Sequence, residues 1–176
     1  MPNSTLFICI DLQEKLLPLM AHKDELVKNA NILLNAACIL NIQTLISEQY
    51  PKGLGKTHTD ISVPQNAVVL EKTSFGIFDD ETMKAHIAKS GCKKLVFFGV
   101  ESHICVLSSV NEALNLGYEC ILAADATSAR NPTHHQLALD ALRQNGVKVL
   151  PSQSVLFSLL KSATHPKFKE ISALIK

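Results

Sequence analysis

Residues 85–98 read AHIAKSGCKKLVFF, in which a helical spacing of apolar residues stops at Gly91 and a short apolar run begins at Leu95. The same order recurs at 35–46 (NAACILNIQTLI), 111–124 (NEALNLGYECILAA) and 141–150 (ALRQNGVKVL). Glycine, and less often asparagine, takes the left-handed backbone conformation that closes a helix before the chain enters a strand. These four stretches therefore predict four junctions from a helix into a strand.

Most of the apolar runs are continuously hydrophobic and do not alternate with polar residues, the exceptions being Gln43 and Thr44 in the second run and Lys148 in the last. Strands with that pattern are buried on both faces, which is typical of parallel sheets covered by helices. Six such runs are present, at residues 6–10, 42–46, 67–70, 95–98, 120–124 and 147–150. With amphipathic helical segments between them, they predict one three-layer α/β/α domain over residues 1–176, built on a six-stranded, mainly parallel, Rossmann-like sheet.

The composition narrows the range of partners. The chain has 47% apolar and 19% charged residues, and its 17 Lys and Arg nearly balance its 16 Asp and Glu. No stretch collects the basic residues that a nucleic-acid backbone requires, so nucleic acid is not expected as a partner. No apolar run approaches the roughly 18 residues that cross a bilayer, so no membrane is expected either. The high apolar content favours a homo-oligomer.

The cysteines indicate a reducing compartment. There are five of them, an odd number, with no CxxC pair, and the N-terminal MPNSTLFICID lacks the basic start of a secretory leader. These features predict a cytoplasmic protein without disulfide bonds. Cys9, Cys38, Cys92 and Cys120 lie in or beside apolar segments and are predicted to be packed side chains.

Three reactive side chains follow strands at one predicted edge of the sheet. Asp11 comes directly after the first run, Lys72 follows the third by two residues, and Cys105 lies a few residues beyond the fourth, where a helix begins. Open parallel sheets bind ligands beyond the carboxyl ends of their strands, where the strand order reverses. If the first and fourth strands are neighbours, a carboxylate, an ammonium and a thiol meet there, a set suited to nucleophilic acyl chemistry.

Each of these residues also has a plain structural interpretation. Asp11 can cap the segment that follows it, Lys72 can be a solvated loop charge, and Cys105 can be a packed side chain. A helix start and a nearby Lys72 both favour a thiolate, so we expect the pKa of the Cys105 thiol to be lowered and its alkylation to be fast.

Five strings in register resemble the isochorismatase-like cysteine hydrolase family, and the resemblance covers nearly the whole chain. They are CIDLQEK (9–15), SEQYPKGLG (47–55), EKTSF (71–75), GVESHICV (99–106) and DATSAR (125–130). The loop at 47–55 and the tail HPKFKEISALIK (165–176) are most similar to the isochorismatase domain-containing subgroup.

The resemblance implies that Asp11, Lys72 and Cys105 are the catalytic residues, with Cys105 as the nucleophile. It also implies an oxyanion hole formed by the backbone N–H groups of Glu101 and Cys105, shaped by a non-proline cis peptide between Val100 and Glu101. The implied reaction is metal-independent and needs no cofactor. It cleaves a C–N, amide-like bond of a small metabolite through a thioester intermediate.

Departures from the family pattern refine this expectation. Nicotinamidase-type members carry an Asp and several His after the second strand, whereas this chain has only His58 there, so no metal site is expected. Isochorismate-cleaving members lack the nucleophilic cysteine, so Cys105 favours an amide or imide over a vinyl ether. An ester, thioester or ether substrate on the same fold stays open, as does a non-catalytic binding or scaffold role.

Further residues are candidates for contacts to a small-molecule substrate because they lie on loops at the same edge. They are Gln13, Gln49, Tyr50, Phe75 and Glu101, with His103 equally suited to lining a pocket or to packing at the helix start. The two aromatic residues of this set can instead cover a subunit interface. A second group is expected to fix a loop by hydrogen bonds more than to act directly: Asp125, Ser128 and Arg130. His134 and His135 are expected to be a solvated pair in the first turn of a helix.

Overall fold

The computed structural model describes residues 4–176. Residues 1–3 lie outside the described residues. The predicted domain and the N-terminal stretch MPNSTLFICID both begin there. The strands are β1 (Thr5–Ile10), β2 (Gln43–Gln49), β3 (Val68–Lys72), β4 (Lys94–Gly99), β5 (Glu119–Thr127) and β6 (Lys148–Leu150). The helices are α1 (Lys23–Leu40), α2 (Pro51–Leu54), α3 (Glu81–Lys89), α4 (Leu107–Asn115), α5 (Pro132–Gln144), α6 (Ser152–Leu160) and α7 (Phe168–Leu174).

The six strands form one sheet in the order β3-β2-β1-β4-β5-β6, and every neighbouring pair is parallel. The predicted α/β class and the six-stranded parallel sheet are confirmed. β1 lies between β2 and β4, because the chain adds β2 and β3 on one side of β1 and then β4, β5 and β6 on the other. The gap between the carboxyl ends of β1 and β4 is therefore the place where a doubly wound sheet binds ligands.

Helices cover both faces of the sheet, and alternate residues of β1 point into the two apolar layers. Phe7 and Cys9 pack with α1, α6 and α7, while Leu6, Ile8 and Ile10 pack with α3, α4 and α5. Because successive strand residues point to opposite faces, a strand covered on both sides must be apolar throughout. This explains why the runs do not alternate. None of the helices in residues 4–176 combines the length and apolar character needed to cross a bilayer.

All four predicted junctions have a left-handed residue. Asn41, Gly91, Gly117 and Gly146 have φ between 53° and 88°. Each closes a helix directly before a strand, so the helices return the chain to the amino edge of the sheet. The loops that follow the strands consequently leave from the opposite, carboxyl edge.

Two details differ from the sequence expectations. Lys72 is the last residue of β3 and does not lie beyond it. Cys38 is exposed, whereas Cys9, Cys92 and Cys120 are buried as predicted and all five cysteines are free thiols. Cys38 lies one position beyond the buried Ala37, and 100° of helical rotation carries its side chain out of the apolar face of α1.

The close approach of β4 to β1 depends on Gly99 at the carboxyl end of β4. Its φ is +113°, and a Cβ there would overlap the backbone of Ile10. No other residue type fits without moving the strand that leads to Asp11 or the turn that leads to Cys105.

We therefore expect Gly99→Ala to lower the free energy of unfolding by at least about 3 kcal/mol, because it adds backbone strain and a steric overlap. Gly117→Ala is the matched control. It also has positive φ but has open space around the missing Cβ, so a loss of only about 1 kcal/mol is expected. Urea unfolding of both variants measures the difference. Equal losses would contradict the close approach.

Candidate active site

The core of the site is a buried ion pair at the ends of β1 and β3. Lys72 Nζ donates to Asp11 Oδ2 at 2.9 Å, and both side chains are fully buried. The other carboxylate oxygen of Asp11 accepts a hydrogen bond from Ser47 Oγ at 2.7 Å. Asp11 has φ of +53°, so the chain turns sharply after β1 and holds the carboxylate at the switch point of the sheet.

The Lys72 ammonium has three further acceptors. It donates to Gln49 Oε1 at 2.6 Å, to the carbonyl of Ser74 at 3.1 Å and to that of Phe75 at 3.0 Å. A buried ammonium needs partners for all its protons because its hydration is lost. The loop after β3 wraps around the ammonium and supplies them.

Cys105 joins this pair through Asp11. The Asp11 carboxylate lies close enough to its thiol to act on it by charge and hydrogen bonding, and only 7% of the residue is exposed. It lies in a single π-helical turn, Ser102–Val106, that leads from β4 into α4. The structure thus brings together the three residues that the sequence placed at one edge, and it does so because β1 and β4 are neighbours.

Burial controls the proton affinities of the acid and the thiol. It raises the pKa of the Asp11 carboxyl above 3.8, while the Lys72 charge and the hydroxyl of Ser47 oppose that rise. Burial, followed by the negative charge of Asp11, raises the pKa of the Cys105 thiol to about 12, and Lys72 opposes this only in part.

The expected lowering of the Cys105 pKa is therefore wrong. The regular helix begins at Leu107, two residues after the thiol, and Cys105 lies in the π turn before it. Desolvation outweighs the attraction of Lys72, since a thiolate loses more hydration than a neutral thiol does. The resting site therefore contains a neutral thiol beside a carboxylate.

The turn before Cys105 has the geometry that the resemblance implied. The peptide bond between Val100 and Glu101 is cis. Within residues 4–176 the Glu101 N–H has no hydrogen-bond partner, whereas the Glu101 carbonyl accepts from the N–H groups of Ile104 and Val106. One donor of the implied oxyanion hole is thus available beside the thiol.

The loop after β5 holds Glu101 in place. Arg130 donates to the Glu101 carboxylate from both its backbone N and its Nε, each at 3.0 Å. Ser128 donates from its hydroxyl to the carbonyl of Ala21 and accepts from Ser102 N through its own carbonyl. These contacts agree with the interpretation of Ser128 and Arg130 as residues that fix a loop.

Asp125 has a similar fixing role at a different place. Its carboxylate accepts from the backbone N and the hydroxyl of Ser152 at 2.7 and 2.9 Å, which caps the start of α6. Its carbonyl accepts from Asn29 of α1 at 3.0 Å. Asp125 therefore joins the sheet to two helices, and its hydrogen bonds go to Asn29 and Ser152 and not to Asp11, Lys72 or Cys105.

Gln13 and Gln49, which were expected to contact the substrate, both hydrogen-bond within the protein. Gln13 is fully buried, and its amide bonds the backbone of Gln49 and the carbonyl of Gly55. Gln49 accepts from Lys72 and donates to the carbonyl of Thr73. Both amides fix loops, because the buried backbone groups around them need partners.

The other candidate contacts lie in different surroundings. Tyr50 is 53% exposed and lines a cavity of about 300 Å³ together with Lys72 and Thr73. The side chain of Phe75 is also largely exposed, although its carbonyl binds Lys72. Both side chains are therefore accessible in the loops around Lys72, whose ammonium itself is buried. Glu101 contributes its N–H, while its carboxylate is occupied by Arg130.

His103 packs on the other side of the nucleophile turn. Its ring lies 5.0 Å from that of His134, and with Leu107 the two rings line a mostly apolar groove of about 240 Å³. His103 and Leu107 are four residues apart and share a helical face, which differs from the face of Cys105. Of the two alternatives, the structure favours packing at the helix start over a contact to the substrate.

The remaining histidines are dispersed. His58 accepts from Asp60 N at 3.1 Å in the loop after α2. His134 is exposed, but His135 is only half-exposed, and burial followed by the charge of His22 lowers its pKa. The expected solvated pair is thus correct for one member only. In the part of the chain that the structure describes, no group of three His, Cys, Asp or Glu is arranged around a common point as metal ligands would be.

Two residues of the site escaped the sequence analysis, namely Ser47 and Ser109. Ser47 lies inside β2, where its hydroxyl reaches Asp11 on the neighbouring strand. Ser109 lies on the buried face of α4 and bonds the carbonyl of Cys105. A lone serine in an apolar strand or on an apolar helix face is the signal that could have identified each of them, because a buried hydroxyl needs a partner.

Comparison with known proteins gives consistent matches. Residues 5–154 match the family model described as the isochorismatase domain. The chain is 37% identical to isochorismatase domain-containing protein 1 of Salmo salar over 99% of its own length and 62% of that relative's length. The chain thus spans less than two thirds of that relative.

Solved structures share the fold. A structure of the MAR1 ribonuclease from Caenorhabditis elegans is similar with a TM-score of 0.93 and 31% identity, covering 99% of this chain and 90% of that one. The ycaC gene product of Escherichia coli, described as an octameric hydrolase of unknown specificity, is similar with a TM-score of 0.87 and 19% identity, covering 99% and 87%.

The effect of Asp11 on the thiol can be measured directly. Asp11 raises the pKa of Cys105 through its charge and its hydrogen bond, so Asp11→Asn lowers that pKa and increases the thiolate fraction at a given pH. We expect alkylation of Cys105 by iodoacetamide at a fixed, mildly alkaline pH to become about tenfold faster.

Peptide mass spectrometry measures this rate, with Cys120 as an internal control in the same sample. Its pKa is also raised to about 12, but by burial and Glu119, so its rate should not change. Slower alkylation of Cys105 in Asp11→Asn would contradict the proposed arrangement of charges.

Proposed function

The chain belongs to the isochorismatase domain family, and from that premise we propose that it is a metal-independent cysteine hydrolase that cleaves the C–N bond of a small, amide-like metabolite. The observation that carries the proposal is the placement of the Cys105 thiol beside a buried carboxylate that is itself paired with an ammonium. That set supplies a nucleophile, a proton acceptor and a fixed positive charge in one place.

In the first half of the proposed reaction, the Asp11 carboxylate takes the thiol proton as Sγ of Cys105 attacks the substrate carbonyl. The carbonyl oxygen becomes an oxyanion, and the unpartnered N–H of Glu101 supports a role in stabilising it. Asp11 then returns the proton to the leaving nitrogen, the C–N bond breaks, and a thioester on Cys105 remains.

In the second half, the Asp11 carboxylate takes a proton from water as the water oxygen attacks the thioester. The second tetrahedral intermediate collapses, the C–S bond breaks, and Asp11 returns the proton to the thiolate. A carboxylic acid leaves, and the thiol is restored. Lys72 does not transfer a proton in this scheme. Its charge stabilises the Asp11 carboxylate before each transfer and the Cys105 thiolate as it forms.

A raised thiol pKa suits this scheme. With a pKa of about 12, Cys105 is neutral at rest, so the thiolate forms only when the proton moves to Asp11 during attack. A neutral resting thiol is protected from adventitious oxidation and alkylation. The low exposure of Cys105 also favours a small substrate over a polymer.

RNA is not favoured as the substrate, although the similar Caenorhabditis elegans protein is described as a ribonuclease. The net charge of this chain is +1, with 17 basic and 16 acidic residues. Binding of a phosphate backbone depends on an excess of Lys and Arg along a track. The buried carboxylate of Asp11 also disfavours a polyanion near the thiol.

The assembly and location of the protein are further parts of the proposal. The octameric assembly described for the similar Escherichia coli protein, together with the exposed Tyr50 and Phe75, supports a homo-oligomer. The five free thiols fit a reducing compartment such as the cytoplasm.

A screen for ammonia or amine release over small amides, ureides and imides tests the function. We expect at least one substrate, and we expect Cys105→Ser to reduce its turnover by at least about 1000-fold, because no thioester can form. Cys120→Ser is the matched control, since that thiol is equally buried and has a similarly raised pKa.

Esters, thioesters and a short RNA complete the screen. Turnover of an ester alone would favour the alternative in which the substrate is an ester, thioester or ether. Equal turnover by Cys105→Ser and the parent would show that the nucleophile has been misassigned. Cleavage of the RNA alone would overturn the proposal.

The pH dependence of a substrate found in this way tests the role of Asp11. The reaction needs the ionised carboxylate, so kcat/KM rises as the pH passes upward through the Asp11 pKa, which burial places above 3.8. The hydroxyl of Ser47 lowers that pKa, so Ser47→Ala should raise it and move the acid limb to higher pH. An acid limb that stays in place, or moves to lower pH, would exclude Asp11 as the proton acceptor.

A further inference from the structure

The hydroxyl of Ser109 joins two segments that the proposed chemistry uses separately. Ser109 is fully buried on α4. Its Oγ donates to the carbonyl of Cys105 at 2.6 Å and accepts from the backbone N–H of Ile77 at 3.1 Å. Cys105 belongs to the nucleophile turn, and Ile77 belongs to the loop after β3. One side chain therefore ties the nucleophile's backbone to the loop that surrounds Lys72.

The loop in question, residues 73–77, is the one that holds the ammonium. The carbonyls of Ser74 and Phe75 accept from Lys72 Nζ, and Ser74 Oγ donates to the carbonyl of Gly76. Gly76 lies so close to α4 that a Cβ there would be 2.7 Å from Ser108 Oγ. The loop thus rests on α4 at Gly76 and is bonded to it at Ile77.

These contacts form a closed ring around the site. Cys105 lies beside Asp11, and Asp11 is paired with Lys72. Lys72 is bound by the loop, and the loop returns to Cys105 through Ser109. Without the hydroxyl, Lys72 is connected to the thiol only through Asp11. Two separate connections fix the distance between the ammonium and the thiol better than one does, because a single series of contacts can flex at each contact.

We propose that Ser109 is a positioning residue that sets the distance between the Lys72 ammonium and the Cys105 thiol. It touches neither reacting atom and acts through the loop at residues 73–77. Its consequence for turnover rests on the proposed function, since Lys72 stabilises the thiolate formed during attack. Its effect on local charge does not depend on any substrate.

Two alkylating reagents of similar size measure that local charge. Iodoacetamide is neutral and iodoacetate is an anion, so the ratio of their rates at Cys105 reports the electrostatic potential at the thiol, while thiolate fraction and access largely cancel. Loss of the Ser109 hydroxyl frees the loop and lets the ammonium move away. We expect Ser109→Ala to lower the iodoacetate-to-iodoacetamide ratio by about threefold or more.

Two variants serve as controls for this measurement. Ser108→Ala removes the neighbouring hydroxyl, which packs near Gly76 without hydrogen-bonding the loop, and should leave the ratio unchanged because the bond to Ile77 is kept. Ser109→Thr keeps a hydroxyl at the same position and should restore the parent ratio. Cys9, which is fully buried in β1, must stay unlabelled in every variant, because its labelling would report global unfolding.

An unchanged ratio in a folded Ser109→Ala protein would overturn the proposal, and so would an equal fall in Ser108→Ala. If the alanine variant does not fold, amide hydrogen exchange of the parent provides the test. The Ile77 N–H should then be protected like the amides of α4, and free exchange at Ile77 would overturn the proposal. A changed ratio in a chain that hydrolyses no amide would support the positioning role while removing the proposed function.

Discussion

The ion pair between Asp11 and Lys72 is the interaction on which the carboxyl edge of the sheet depends. Both side chains are completely buried, and removing each charge from water costs several kcal/mol before any compensation. Attraction between the two charges offsets this only when the remaining lone pairs and protons also find partners. Ser47 supplies one of them, Gln49 another, and the loop carbonyls after β3 the rest.

The pair also determines the state of the thiol. Asp11 favours the neutral form of Cys105 and Lys72 favours the anion, but burial adds to the effect of Asp11 and the neutral form prevails. The carboxylate that keeps the proton on sulfur is also the nearest group that can accept it. In the proposed mechanism, a small movement of charge during attack then transfers the proton, and the fixed ammonium compensates for it.

Much of the fold was predictable because it depends on local rules. A helix that ends at Gly91 or Gly117 and an apolar run that follows need no distant partner to be recognised, and together they specify a parallel sheet. Asp11 and Cys105 were placed at one edge because both follow parallel strands, and their meeting depended on β1 and β4 being neighbours, which the structure shows. The side-chain contacts and the proton affinities of the site depend on residues that are distant in the sequence.

Gln13 and Cys105 show what the sequence could not indicate. The amide of Gln13 is occupied by backbone groups some 36 to 42 residues away, and no spacing in the sequence reveals which backbone groups are buried without partners. The pKa of Cys105 depended on desolvation and on a π turn that delays the regular helix. Both effects arise from packing, so a rule based on helix starts gave the wrong sign.

The proposed chemistry requires a resting Cys105 thiol that is neutral and interacts with the Asp11 carboxylate. Infrared difference spectroscopy between the parent and Cys105→Ala isolates the S–H stretching band of this one thiol at neutral pH. In the parent we expect a band shifted to lower frequency by donation to the carboxylate. In Asp11→Asn we expect the band to return toward the frequency of an unbonded thiol. Absence of the band, which would mean a resting thiolate, or a band that Asp11→Asn does not move, would contradict the account.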